Sequence, residues 1–173
     1  MSRRYEILEA LPSYGKMYVS VAKNDEPFYS DEGLAVRFYR ADRTDWIGNF
    51  KPGYANDFSG IYEFKESMNL LVISQGCCYT VNPDEIKPLS IFSTGYSDVF
   101  ETRKGRIILN DKGDIFVVEA NGNYCYTEIC TSEDLTNLKL VNNIFQSLAF
   151  YPRQDADEWI EYTFNLGLKP KSI

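Results

Sequence analysis

The chain has 173 residues, of which 44% are hydrophobic and 15% aromatic, and this composition excludes an intrinsically disordered protein. Its 18 basic and 25 acidic residues give a formal charge of −7. That charge argues against nucleic acid and acidic membranes as partners, because both are bound largely through Lys and Arg. At this length we expect a single β-rich domain over residues 1–173.

Histidine is absent from the chain. Its absence excludes Ser-His-Asp and Cys-His catalysis and every metal site that needs an imidazole ligand. The sequence also contains no phosphate-binding loop and no dinucleotide-binding glycine motif. We therefore predict a protein that is not an enzyme and that binds no cofactor and no metal.

The N-terminal residues are charged and polar where a secretion signal has an apolar stretch. No run of about 20 apolar residues follows. A cytoplasmic location is therefore the prediction, and the oligomeric state stays open.

The first predicted element is a short helix over residues 3–11. Ser2 is its cap, Tyr5 and Leu8 share a face, and Pro12 ends it. A second short helix is predicted near residues 131–138, with acidic residues in its first turn and Leu135 on its apolar face.

From Met17 onward the dominant pattern is short β-favouring runs separated by Gly, Pro, Asn and Asp, which is typical of antiparallel strands joined by turns. Four strand pairs are predicted: 34–39 with 46–50, 70–73 with 78–81, 106–109 with 115–118, and 148–151 with 159–164. The runs at 70–73 and 115–118 are apolar without alternation, so we expect those strands to be covered on both faces.

The second and third strand pairs resemble each other, with Gly76 aligned on Gly113 and Tyr79 on Phe116. The offset of about 37 residues is typical of repeated β units such as propeller blades. A meander of hairpins that forms a sandwich or barrel accounts for the same spacing. The fold class is therefore mainly β, built of antiparallel hairpins, with either closure open.

Cys77 and Cys78 are the most enzyme-like feature, since a thiolate near a turn becomes a nucleophile when a cationic neighbour lowers its pKa. The competing interpretation is a buried structural role, which is common for free cysteine. Neither Cys125 nor Cys130 has the C-x-x-C spacing, and we expect all four thiols to be reduced.

The binding candidates are acidic and aromatic. Asp155, Asp157 and Glu158 form a polar acidic stretch after Tyr151, where a basic partner is expected to bind. Among the many aromatic residues near connections, Trp46, Tyr54 and Tyr96 are the candidates for an interface or a ligand site.

Four segments resemble a family of small bacterial all-β proteins: Tyr-Gly-Lys-Met-Tyr at 14–18, Val-Arg-Phe-Tyr at 36–39, Trp-Ile-Gly-Asn-Phe-Lys-Pro-Gly at 46–53 and Gly-Cys-Cys-Tyr-Thr-Val-Asn-Pro at 76–83. That family is similar to immunity-type proteins that accompany polymorphic toxins. The resemblance implies a non-enzymatic protein-binding function.

Three functions are therefore expected in turn. The first is a cytoplasmic binding protein of immunity type that occludes a protein toxin. The second is a small-ligand or carbohydrate-binding β module. The third is a thiol-dependent enzyme that uses Cys77 or Cys78.

Overall fold

The structure, a computed structural model, describes residues 3–14, 17–22, 33–53, 57–65, 67–93, 98–102, 107–111, 114–128, 135–142, 144–152 and 158–165. These residues form β-strands, turns and no helix. The strands are β1 (Tyr5–Ile7), β2 (Val19–Val21), β3 (Leu34–Tyr39), β4 (Asp45–Phe50), β5 (Ser59–Glu63), β6 (Leu70–Ser74), β7 (Cys77–Val81), β8 (Ser90–Ser93), β9 (Asp98–Glu101), β10 (Ile107–Asp111), β11 (Asp114–Val118), β12 (Tyr124–Glu128), β13 (Leu135–Val141), β14 (Ile144–Tyr151) and β15 (Glu158–Asn165). The prediction of a mainly β protein is confirmed.

The described strands form four sheets, in the orders β1-β3-β4-β2, β5-β6-β7-β8, β9-β10-β11-β12 and β13-β14-β15. All neighbours are antiparallel except the pair β2 and β4. Each of the four predicted strand pairs is present, as β3–β4, β6–β7, β10–β11 and β14–β15. Every residue of β6 and β7 is buried, as the apolar run predicted.

Both helix predictions are wrong. The first segment contains β1, which pairs with β3, and the Leu8 N–H donates to the Ala35 carbonyl at 2.9 Å. The second contains β13, although residues 131–134 lie outside the described part. A bulge between Thr136 and Lys139 adds one residue to β13. Residues three apart therefore share a face there, which imitates helical spacing in the sequence.

The chain divides into two compact units: Met1–Thr94 with Ala120–Gly122, and Gly95–Glu119 with Asn123–Ile173. The single domain over residues 1–173 stays a prediction. Among the described residues there is no helix with the length and apolarity needed to cross a membrane.

In the first unit, the sheets that contain β4 and β7 share one hydrophobic core, formed by Tyr5, Val21, Val36, Phe38, Trp46, Phe50, Leu70, Val72, Cys77, Tyr79 and Val81. Aromatic rings connect the two sheets. Phe38 stacks on Trp46 with ring centroids 4.5 Å apart, and Phe50 meets Tyr79 edge-on at 5.1 Å. These offset and edge-on arrangements are the favoured geometries for aromatic pairs.

The turn between β6 and β7 is held against the chain that follows β4. Gln75 and Gly76 have φ values of 44° and 83°, the positive angles of a tight two-residue hairpin turn. The Gly53 N–H donates to the Ser74 carbonyl at 2.9 Å. A Cβ on Gly53 would lie 2.5 Å from the Cys77 nitrogen, so only glycine fits this approach of two backbones.

In the second unit, strands β11, β13 and β14 contribute to a second core, formed by Ile115, Val117, Leu135, Phe145 and Ala149. Phe100, Leu140, Tyr151 and Tyr162 pack against it and are partly buried. Alternate residues of β14 are buried, so one face of the sheet β13-β14-β15 covers this core and the other faces away from it.

The resemblance between the second and third predicted pairs extends to their register. Leu70 pairs with Val81 in the first hairpin, and Ile107 pairs with Val118 in the second. Both positions are displaced by about 37 residues, as the sequence alignment indicated. The described residues do not establish a repeat or a propeller.

Candidate functional site

The aromatic candidates do not form a common site among the described residues. The Trp46 side chain is 4% exposed, and its Nε1–H donates to the Pro83 carbonyl at 2.8 Å. Its ring is therefore part of the core and is not available to stack on a ligand. Tyr54 and Tyr96 lie outside the described residues.

Of the acidic candidates, Asp155 and Asp157 lie outside the described residues. Glu158 begins β15 directly opposite Tyr151, the last residue of β14. Glu158 is exposed, whereas Tyr151 is half-buried against the core of the second unit. The structure thus brings two of the predicted binding residues together at one end of the β14–β15 hairpin.

The two cysteines of β7 are free thiols, and both are buried. Cys78 is completely covered, and this burial, followed by the charge of a neighbouring Cys77 thiolate, raises the pKa of the Cys78 thiol. A catalytic thiolate needs the reverse, a lowered pKa and access to substrate. The environment of Cys78 favours a structural role.

An exposed surface that the sequence did not single out lies on the sheet β13-β14-β15. We define the outer face as the side of this sheet turned away from the core of the second unit. The cross-strand register places these residues on it: Thr136, Lys139, Val141, Ile144, Gln146, Leu148, Phe150, Trp159, Glu161, Thr163 and Asn165. Directly opposite residues on one face lie close enough for their side chains to interact.

Trp159 is the most prominent apolar side chain of the outer face. It is 46% exposed and packs on Phe150 of the adjacent strand, with ring centroids 5.1 Å apart. Glu158 precedes it and Glu161 follows it on the same strand. The sequence did carry a signal for this residue, because Trp159 alternates in register with the polar residues Glu161 and Thr163.

A concave groove of about 450 Å³ adjoins this aromatic pair. Its lining consists of Asn137, Lys139, Gln146, Ser147, Leu148, Glu161, Tyr162 and Thr163. The β-bulge of β13 borders it, and Asn137 in that bulge has a φ of 55°. Such a bulge redirects side chains beside a functional surface. Polar groups from three neighbouring strands therefore converge on one concavity.

The strongest described electrostatic cluster is in the first unit. Asp84 accepts hydrogen bonds from the Arg4 guanidinium and, at 2.7 Å, from the Ala41 N–H. Together these bonds lower the pKa of Asp84. The cluster joins the start of β1 to the turns before β4 and after β7, so its groups serve the fold.

No group of three or more metal-ligating side chains converges within the described ranges. Comparison of the chain with protein families, with curated proteins and with solved structures finds no match in any of the three.

Proposed function

We propose that this protein is a non-catalytic binding protein whose binding surface is the outer face around Trp159. The observation that supports the proposal is the exposed Trp159–Phe150 pair with Glu158 and Glu161 beside it. A large aromatic centre with a charged rim is the composition of many protein-binding surfaces.

The charge of this surface favours a basic protein partner. Strand β15 contains Glu158 and Glu161 and no Lys or Arg, and the chain as a whole has a formal charge of −7. Opposite charge steers the encounter of two proteins and raises the association rate. An exposed indole also binds Lys or Arg side chains through cation–π contact.

In its specific form, the proposal is that of an immunity-type protein that covers the active site of a basic toxin. Occlusion requires no chemistry from the binding protein, which agrees with the absence of histidine from the chain. The thiol-dependent alternative receives no support from the burial of Cys77 and Cys78.

The test is co-expression with the toxin domain encoded beside this gene, followed by co-purification and calorimetry. We expect Trp159→Ala and Glu161→Lys each to weaken the complex at least about tenfold, which corresponds to about 1.4 kcal/mol. Glu85→Lys is the matched control, because Glu85 is exposed in the first unit and its substitution changes the net charge equally. Equal weakening by both lysine variants, or no complex with the wild-type chain, would contradict the proposal.

A further inference from the structure

We infer that the groove of the outer face binds a neutral polyhydroxylated ligand, in chemical class a mono- or disaccharide, with Trp159 as the adjoining stacking platform. This inference goes beyond the proposed protein contact and does not depend on it. The groove is a polar concavity of about 450 Å³, within the usual range of about 300–1,000 Å³ for small-molecule sites.

The charges that line the groove point to an uncharged ligand. Lys139 and Glu161 contribute one charge of each sign. Phosphate and nucleotide sites instead concentrate Arg, Lys or backbone N–H groups around the anion. Leu148 is the single aliphatic side chain of the lining, so a lipid tail would find little apolar surface.

The remaining polar groups match hydroxyl chemistry. Asn137 and Gln146 each offer an amide that both donates and accepts, and Thr163 offers a hydroxyl with the same dual capacity. Sugar hydroxyl groups also donate and accept. The Glu161 carboxylate accepts from two neighbouring hydroxyls at once, so the lining can satisfy a ligand that carries many such groups.

Trp159 supplies the apolar element that a sugar ring needs. It lies two residues from Glu161 on the same face, which is about 7 Å along the strand. The face of a pyranose ring presents C–H groups, and these pack on an indole. Because the Trp159 ring packs on Phe150 at 5.1 Å, the platform is held in place before a ligand arrives.

The groove is also preorganised by its backbone. Lys139, Gln146 and Thr163 lie in one cross-strand row, and Leu148 and Glu161 in the next. Side chains borne on paired strands lose less conformational freedom on binding than side chains of loops. The extra residue in the bulge adds Asn137 to this set.

The full chain tests this inference by titration with glucose, galactose, mannose, N-acetylglucosamine, maltose and cellobiose, observed by NMR. At least one saccharide should bind saturably with a Kd of about 1 mM or tighter. Its addition should shift the Trp159 indole signal and the amides of Gln146 and Thr163, while the buried Trp46 indole serves as the internal reference. Gln146→Ala and Trp159→Ala should each weaken this binding at least about tenfold.

Glu158→Lys separates this inference from the proposed protein contact. Glu158 does not line the groove, so its substitution should leave saccharide affinity unchanged while it weakens a basic protein partner. The inference is overturned if no saccharide of the panel binds, if binding survives Gln146→Ala, or if phosphate or citrate displaces the sugar from the groove. None of these results would touch the toxin complex, which is measured separately.

Discussion

Trp159 lies against Phe150 on the neighbouring strand, with ring centroids 5.1 Å apart and ring planes inclined at 50°. Nearly half of its surface is exposed, whereas Trp46 is buried against Phe38 in the first unit. The two tryptophans of this chain therefore have opposite environments. One stabilises a core and the other offers a surface, and this contrast can be measured.

Substitution of the two tryptophans should separate stability from binding. Trp46→Ala removes a buried ring and its hydrogen bond to Pro83, and should cost about 3–5 kcal/mol of unfolding free energy. Trp159→Ala should cost less than about 1 kcal/mol, since exposed positions tolerate substitution. Urea unfolding measures both. A loss of stability for Trp159→Ala as large as that for Trp46→Ala would show that the outer face is structural.

Gly53 should be intolerant of a side chain because two backbone segments meet there. In Gly53→Ala, the new Cβ would lie 2.5 Å from the Cys77 nitrogen and 2.8 Å from the Gln75 carbonyl oxygen. We expect a loss of about 2 kcal/mol or more, from displaced backbone. Gly60→Ala is the matched control, because its Cβ would meet only the Phe58 and Tyr62 rings, at 3.4 Å or more. Thermal unfolding should leave the control within about 1 kcal/mol of wild type.

Asp84 should contribute a pH-dependent part of the stability. Its pKa is lowered by the hydrogen bonds from Arg4 and Ala41, and the ordinary value of an aspartate is about 3.9. A carboxyl with a lowered folded pKa stabilises the protein above its unfolded pKa, and this contribution disappears as pH falls through the folded pKa.

We therefore expect Asp84→Asn to lower stability by about 0.5–1 kcal/mol between pH 5 and 7, a value limited by the solvent exposure of the pair. Below about pH 4 the difference from wild type should shrink. Denaturant unfolding across this pH range measures it. A difference that stays constant down to pH 2 would exclude the ionised carboxylate as its cause.

Cys77 and Cys78 should react slowly while the protein is folded. Both side chains are buried, and burial raises the pKa of the Cys78 thiol. Alkylation by iodoacetamide at neutral pH should be at least about 100-fold slower than in denaturant, because it requires local opening of β7. Peptide mapping by mass spectrometry resolves these two sites from Cys125 and Cys130. Fast modification of either one in the native protein would revive the thiol-enzyme hypothesis.

Much of the fold was predictable because it depends on local signals. The β6–β7 hairpin has apolar runs on both sides of Gln75 and Gly76, and these two residues adopt the positive φ angles of a tight turn. The pairs β3–β4 and β14–β15 were predicted in the same way, from β-favouring runs separated by polar connections.

The β13 strand shows where local pattern fails. Its sequence spacing of three between apolar residues indicated a helix, whereas pairing with β14 makes it a strand with a bulge between Thr136 and Lys139. No residue near position 137 announces the bulge in the sequence. The groove was missed for this reason, since Asn137 lines it from within the bulge.

The sequence by itself determined the β class, the main strand pairs and the lack of imidazole chemistry, because each depends on residue type or on neighbours along the chain. Only the tertiary structure decided that Trp46 lies in a core and Trp159 on a surface. Both tryptophans stand in strands among polar and apolar neighbours. Burial depends on which face of a sheet meets another sheet, and that contact joins residues far apart in the chain.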